Sequence, residues 1–452
     1  MQGWTQHEHA VDTLLASWRA IPEGRPVRLA KKTSNLFRPR GRTDGPGLDV
    51  SGLDGVIEID PVSHTADVQG MCTYERLVEE TLAHGLVPTV VPQLRTITLG
   101  GAVTGLGIES TSLRLGLPHE AVLEMDVLTG SGEIVTATPD NEHAELFAAF
   151  PNSYGSLGYA VRLRIRLEPV PAQAHLRHVR FGSAVDAAKA IAEIAETGRW
   201  EGVEVDAVDG TAFTPDEVYL SLARFADTDL PTSDYTGQQV YYRSIQQRRE
   251  DVLTLEDYLW RWDTDWFWCS AAFGAQHPLA RRVWPRRWRR SDVYHRLVAL
   301  DSTVGVSRVL DRLKHVPGRE RVIQDIEVPL ERLDDFLAWF DREVGMRPVW
   351  LCPLRTTRAW PTYPLVPGEV YVNVGFWGTV VVPEDSEPGT VNRRIEAEVH
   401  RLGGHKSLYS EAFYDRETFD SLYDTAGLDR LRDRYDPQAR LHSLYDKAVR
   451  NS

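Results

Sequence analysis

The sequence predicts an α+β protein of two consecutive units, and three observations carry that prediction. Strand-like and helix-like segments alternate through the first third of the chain. Val161, Leu163, Ile165 and Leu167 alternate with Arg162, Arg164 and Arg166, the period of two of a strand with one buried and one wet face. At Pro169–Pro171 the texture breaks, and a second set of helices and strands begins near residue 175. With 452 residues and about 150 residues per domain, two or three units are expected.

In the first unit, Val56–Asp60, Thr65–Gly70 and Leu86–Val91 read as strands. Tyr74–His84 reads as a helix with Thr73 as its N-cap and Gly85 as its stop. Val122–Leu128 and Ile134–Thr138 flank the glycine-rich turn Thr129–Glu133, and Glu142–Phe150 reads as a short helix. In the second unit, Asp186–Glu196 and Glu331–Arg342 read as helices, and Val322–Val328, Val349–Leu354 and Val370–Phe376 as strands. The last fifty residues read as a strand at Ser407–Ser410, helices at Glu417–Tyr423 and Asp429–Tyr435, and a basic tail.

Composition narrows the function. The net charge is −14, which disfavours a nucleic-acid partner, because an acidic surface repels phosphate backbones. Cys72, Cys269 and Cys352 are isolated, with no metal-ligand spacing and no disulfide framework, so a reducing cytoplasm and no metal are expected. The polar start carries no signal-peptide pattern, and no run reaches the ~18 apolar residues of a membrane span. Six lysines against 45 arginines, with abundant Ala, Gly and Val, hint at a bacterial source.

The chemistry-bearing motif is Thr96–Gly116. Gly100, Gly101, Gly105 and Gly107 remove side chains, so backbone N–H groups can converge on an anion such as a pyrophosphate. Thr98, Ser110, Thr111 and Ser112 add hydroxyl donors. The run is neither a Rossmann fingerprint, since Ser110 stands at the third glycine, nor a Walker motif. Packing of a glycine-rich loop under a sheet explains it equally well from composition alone.

"VVPQLRTITLGGAVTGLGIESTSLRLG", followed by the turn Gly155–Gly158 leading into a strand, resembles the FAD-binding domain of the vanillyl-alcohol-oxidase/PCMH superfamily. "GIESTS", "VIQDIEVPLERLDDFLAWF", "PVWLCPLR", "YVNVGFWG" and "GGHKSLYSEAFYDRETF" resemble the Δ24-sterol reductase group, and the chain is also similar to actinobacterial methylene-fatty-acyl reductases. The resemblance implies a two-lobed FAD-binding domain over 1–172. A substrate or cap domain over 173–400 and a segment 401–452 returning to the flavin would follow. FAD would contact Lys31, Thr33, Ser34 and Asn35 in a first loop and Thr98, Gly100, Gly101, Gly105, Gly107, Glu109, Ser110 and Ser112 in a second. Gly155, Gly158 and Val161 would lie beside it. Asn35 and Ile108-Glu109 stand where many relatives carry a flavin-linking histidine, so non-covalent FAD is expected.

For catalysis the resemblance points to His405 and Lys406 beside the ring, and to Tyr371, Asn373 and Arg355 on the substrate-facing sheet, with His405 and Tyr371 as candidate proton donors. The implied reaction is NADPH- or NADH-driven reduction of an isolated C=C bond. A 10-methylene fatty-acyl chain ranks first as substrate, which would make a SAM-dependent methyltransferase the natural partner. A sterol or isoprenoid bond ranks next. An alcohol or sugar oxidase or dehydrogenase and a non-catalytic lipid binder are the competing classes. Six of thirteen Trp and a run of Arg lie in 258–290, which suggests a peripheral membrane contact at the inner face as against a packed core.

Overall fold

The computed structural model describes residues 2–31, 37, 46–105, 107–304 and 318–450. The chain opens with a helix, Gln2–Ala20, that the reading above did not anticipate. Ala10, Leu14 and Trp18 recur at four-residue spacing and bury against Leu128 and Val161.

The first sheet comprises β1 (Val56–Asp60), β2 (Thr65–Gln69), β3 (Leu86–Pro88), β4 (Val122–Leu128), β5 (Ile134–Ala137) and β6 (Tyr159–Pro169). Its order is β1-β2-β6-β4-β5, with β3 paired to the far end of β6. All pairs are antiparallel. The helix Tyr74–Leu82 is capped by the Thr73 hydroxyl, which accepts from the Arg76 N–H. β6 keeps its period of two, with one departure. Arg164 and Arg166 are exposed, but Arg162 is buried. It lies between Asp67, Glu124 and Asp126, beneath the Trp4 ring of the first helix, so its charge is neutralised where it is covered.

The second sheet comprises β7 (Gln173–Phe181), β10 (Ala207–Thr214), β11 (Glu217–Ala226), β12 (Glu250–Thr254), β13 (Arg319–Pro329), β14 (Val349–Leu354), β15 (Tyr371–Val381) and β16 (His405–Lys406). A separate small hairpin, β8–β9, spans Arg199–Glu204. The sheet order is β12-β7-β11-β10-β14-β15-β13-β16. Helices Ala184–Thr197, Leu333–Glu343 and Thr390–Arg401 bury Ile191, Phe336, Phe340 and Ile395 against Val322, Ile326, Leu351, Val372 and Val374 on its outer face. Trp350, Cys352 and Leu354 point the other way and join the core shared with the first lobe.

The Trp/Arg segment 258–290 fills much of that junction, which corrects most of the lipid-facing reading. Trp260, Trp262 and Trp266 are buried, and Phe267 packs on Trp350 and Trp377. The arginines follow them inward because carboxylates meet them. The Arg281 guanidinium pairs with Asp265 at 2.6 Å. Arg261 bridges Glu109 Oε1 at 3.0 Å and Asp209 Oδ2 at 3.1 Å, and its guanidinium lies over the Tyr258 ring. Trp262 and Trp350 donate their indole N–H groups to the same Asp209 oxygen. Among the described residues, no helix is long and apolar enough to cross a membrane.

Candidate active site

Strand parity assembles a polar row on the inner face of the second sheet. Residues paired across antiparallel strands share a face. His405 pairs with Glu327, Glu327 with Asn373, and Asn373 with Cys352. One step along, Asp325 pairs with Gly375, and Gly375 with Trp350. The absent side chain at Gly375 gives Asp325 its place, since a Cβ there would stand 2.5 Å from Asp325 Oδ1.

Asp325 accepts from Asn373 Nδ2 at 3.1 Å and from the Tyr409 hydroxyl, which in turn accepts from the Trp377 indole at 2.9 Å. It lies deep in the protein yet keeps part of its surface accessible. Burial pushes its carboxyl up to about 6, against the pull of the Asn373 and Tyr409 hydrogen bonds. Glu327 is fully buried, takes a hydrogen bond from the Ser407 hydroxyl at 3.0 Å, and faces Tyr363. Burial and the nearby Asp325 raise its carboxyl well above its ordinary value. Neither acid figured among the expected site residues. Their trace in the sequence is the pair of acids alternating inside the apolar strand Val322–Val328.

The five expected catalytic residues separate. Asn373 sits in the row. His405 faces the same way, its ring edge-on to Tyr363 and its Nε2 3.4 Å from Asn152 Nδ2. Burial drives it down to about 3, so it is a neutral imidazole and not a cationic proton donor at neutral pH. Lys406 is its strand neighbour and therefore points to the opposite face, where it is buried against Glu396 and donates to the Glu411 carbonyl. Arg355 donates to the Ala195 carbonyl, away from the row. The Tyr371 hydroxyl accepts the Val366 N–H at 3.3 Å at the strand's outer end.

The first cofactor loop is described only at its edges. Thr33, Ser34 and Asn35 lie outside the described residues. Lys31 Nζ reaches Thr98 Oγ1 at 3.4 Å and Met71 Sδ at 3.2 Å, which draws the first loop to the second. At the other edge, the Phe37 N–H donates to the Tyr409 carbonyl, and its ring stands 5.8 Å from both Tyr409 and Trp266. The loop thus ends beside Tyr409, the hydrogen-bond partner of Asp325.

The glycine run is built differently from the anion cradle expected. Thr98 caps a helix, Leu99–Thr104. The N–H groups of Leu99, Gly100, Gly101 and Gly105 go to Cys72 O, Gly70 O, Thr98 Oγ1 and Gly101 O, so they do not converge on a ligand. Gly100 and Gly107 are glycines because of crowding. Added Cβ atoms would stand 2.6 Å from Gly70 O and 2.8 Å from Pro118. Gly101 differs, being exposed, and its Cβ would meet only the Thr98 hydroxyl. Glu109 and Ser110 turn into the junction, to Arg261 and to the Tyr258 hydroxyl, and the Ser112 hydroxyl accepts the Glu109 N–H. They hold the lobes together. Gly155 (φ 78°) and Gly158 (φ 139°) require glycine conformations, and Lys447 Nζ donates to the Gly155 carbonyl at 2.7 Å. Val161 lies in the core under the first helix.

These features fit FAD. Lys31 supplies a cation beside Thr98, the exposed Gly101 backbone leaves room for close approach, and Asn373 Oδ1 has no donor among the described residues. Comparison with known proteins agrees. Residues 9–138 match the family model described as FAD binding domain. The chain is 26% identical over 418 residues to the Delta(24)-sterol reductase of Rattus norvegicus, covering 87% of this chain and 76% of that one. It is 24% identical over 437 residues to the Arabidopsis thaliana Delta(24)-sterol reductase, covering 89% and 76%. It is 32% identical to cytokinin dehydrogenase 3 of Oryza sativa subsp. japonica over 167 residues, 36% of this chain and 31% of that one. The chain is an FAD-dependent oxidoreductase with a PCMH-type FAD-binding domain that resembles the Δ24-sterol reductase group.

Proposed function

We propose that the chain is an NADPH-dependent reductase of an isolated C=C bond in a lipid, with a methylene-branched fatty-acyl chain as first substrate. Bound FAD supplies the hydride. The observation that carries this reading is one partly accessible carboxyl, Asp325, bonded to Tyr409, whose neighbours are Trp377 and Phe37, with Trp266 on the Phe37 ring. Aromatic walls favour an apolar chain over a sugar, whose hydroxyls would be left without partners. A carbonyl-free alkene is not polarised, so its reduction demands an acid as well as a hydride. Asn373 and Tyr409 hold that acid in place. The likeness to Δ24-sterol reductases favours a sterol or isoprenoid bond as the second reading. A SAM-dependent methyltransferase that makes the methylene branch fits as partner for the first.

The part of the Trp/Arg segment that stays at the surface supports a lipid substrate. Leu279 (70% exposed), Val283 (81%) and Trp288 (48%) share ten residues with the exposed Arg282, Arg286 and Arg287. Arg286 also meets Asp234. Apolar side chains among arginines, on a chain of net charge −14, suit an anionic bilayer surface such as the inner membrane face.

Three outcomes are expected. Acid precipitation releases FAD to the supernatant, because no histidine occupies the expected linking positions; yellow flavin staying with the denatured chain contradicts this. Under nitrogen, NADPH bleaches the flavin and a methylene-branched acyl lipid restores its colour. Bleaching by an alcohol with fast reoxidation by oxygen would instead make the chain an oxidase, and restoration by a Δ24-sterol alone would select the second reading. In vesicle flotation the protein rises with anionic vesicles and Val283→Asp weakens this several-fold; equal behaviour with zwitterionic vesicles removes the membrane contact.

A further inference from the structure

We propose that Asp325 is the acid that protonates the substrate double bond. The proposal rests on the reductase reading above and adds the donor that this reading requires. Five neighbours compete for the role, and each is disqualified by what surrounds it. His405 is neutral, as its burial dictates. Glu327 is wholly enclosed, with no surface toward a substrate. The hydroxyls of Tyr363 and Tyr409 are held above their ordinary range by burial and by the carboxyls they face, so they are weak acids. Lys406 lies on the opposite face of the sheet.

Asp325 alone of these combines an accessible surface with an acid strength suited to proton transfer near neutral pH. Its position is fixed from three sides. Asn373 and Tyr409 donate to it, and Gly375 leaves the space it occupies. It is also close to the cofactor loop, since Tyr409 touches both Asp325 and Phe37.

The step balances as follows. The Asp325 O–H bond breaks, and its proton forms a C–H bond at one alkene carbon with the π electrons. Bound FAD, once reduced by the two electrons of a nicotinamide donor, would supply the hydride for the other carbon, so the electrons balance. The carboxylate left behind keeps its Asn373 and Tyr409 hydrogen bonds, which stabilise the charge until a proton returns.

The titration has a definite sign. The donor form exists below about 6 and is depleted above it. The titratable groups facing Asp325 are Glu327 on its own strand, Tyr363 from the segment before β15, Tyr409 from the segment after β16, and Cys352 from β14. Burial raises all four above their ordinary values.

The test uses full-length holoprotein, NADPH and a methylene-branched acyl lipid, with each half-reaction followed by stopped flow. Asp325→Asn is expected to slow reoxidation by the lipid at least about 100-fold more than it slows bleaching by NADPH. Asp325→Glu is expected to recover part of the loss. In the parent, reoxidation falls about tenfold per pH unit above about 6, and in Asp325→Asn this dependence disappears. A readout independent of turnover is the infrared carbonyl band of a protonated carboxyl. Its Asp325 component is expected to vanish as the oxidised parent is titrated upward through about 6, and to be missing from Asp325→Asn, whatever band the enclosed Glu327 contributes. Asp325 ionised well below that point, or an Asn variant with unchanged reoxidation, overturns the proposal. A parent flavin that NADPH bleaches but no lipid alkene reoxidises overturns the reductase reading itself.

Discussion

Arg261 is the charge around which the two lobes close. Its side chain has no exposed surface, and its partners come from both sides of the junction. Glu109 belongs to the segment that follows the glycine run, and Asp209 to the second sheet. Tyr258 lies under the guanidinium and also meets Ser110. Burying one cation between two carboxylates is tolerable only when the hydrogen bonds are made. Trp262 and Trp350 contribute further donors to Asp209. The arrangement is a poor source of net stability and a good source of register, because a shifted lobe would strand a buried charge.

That register determines what the inner face of the second sheet confronts. With the lobes fixed, the Asp325–Asn373–Glu327–His405 row lies beside the end of the first cofactor loop and the Asn152–Gly155 turn. Local sequence sets the row's chemistry. Two acids at alternate positions of an apolar strand share one face, and Gly375 admits one of them between strands. Burial then raises both, Glu327 further than Asp325, which titrates within reach of neutral pH at about 6.

Features set by local periodicity and backbone conformation were legible in the sequence. β6 follows from its alternation, the helix after Thr73 from its cap, and the turn at Gly155–Gly158 from its glycines. The helix Gln2–Ala20 was passed over although Ala10, Leu14 and Trp18 keep helical spacing, because its polar residues dominate the composition. Features set by partners distant in sequence were not legible. Arg and Trp in 258–290 look the same on a membrane face or in a core, and only Asp209, Glu109 and Asp265 decide the matter. Lys406 was drawn to the site by its neighbour His405, although adjacent strand residues point apart. Glu109 and Ser110 read as cofactor donors until their partners in the second lobe are seen.

The account depends on Arg261 joining the lobes, and its removal tests that most directly. Denaturant unfolding of Arg261→Met should show about 3–5 kcal/mol less stability than the parent, because Glu109 and Asp209 stay buried without their cation. FAD affinity should fall with it as the second sheet loses its register against the cofactor loops. A Met variant that unfolds at the parent's midpoint and retains FAD equally well would contradict the account.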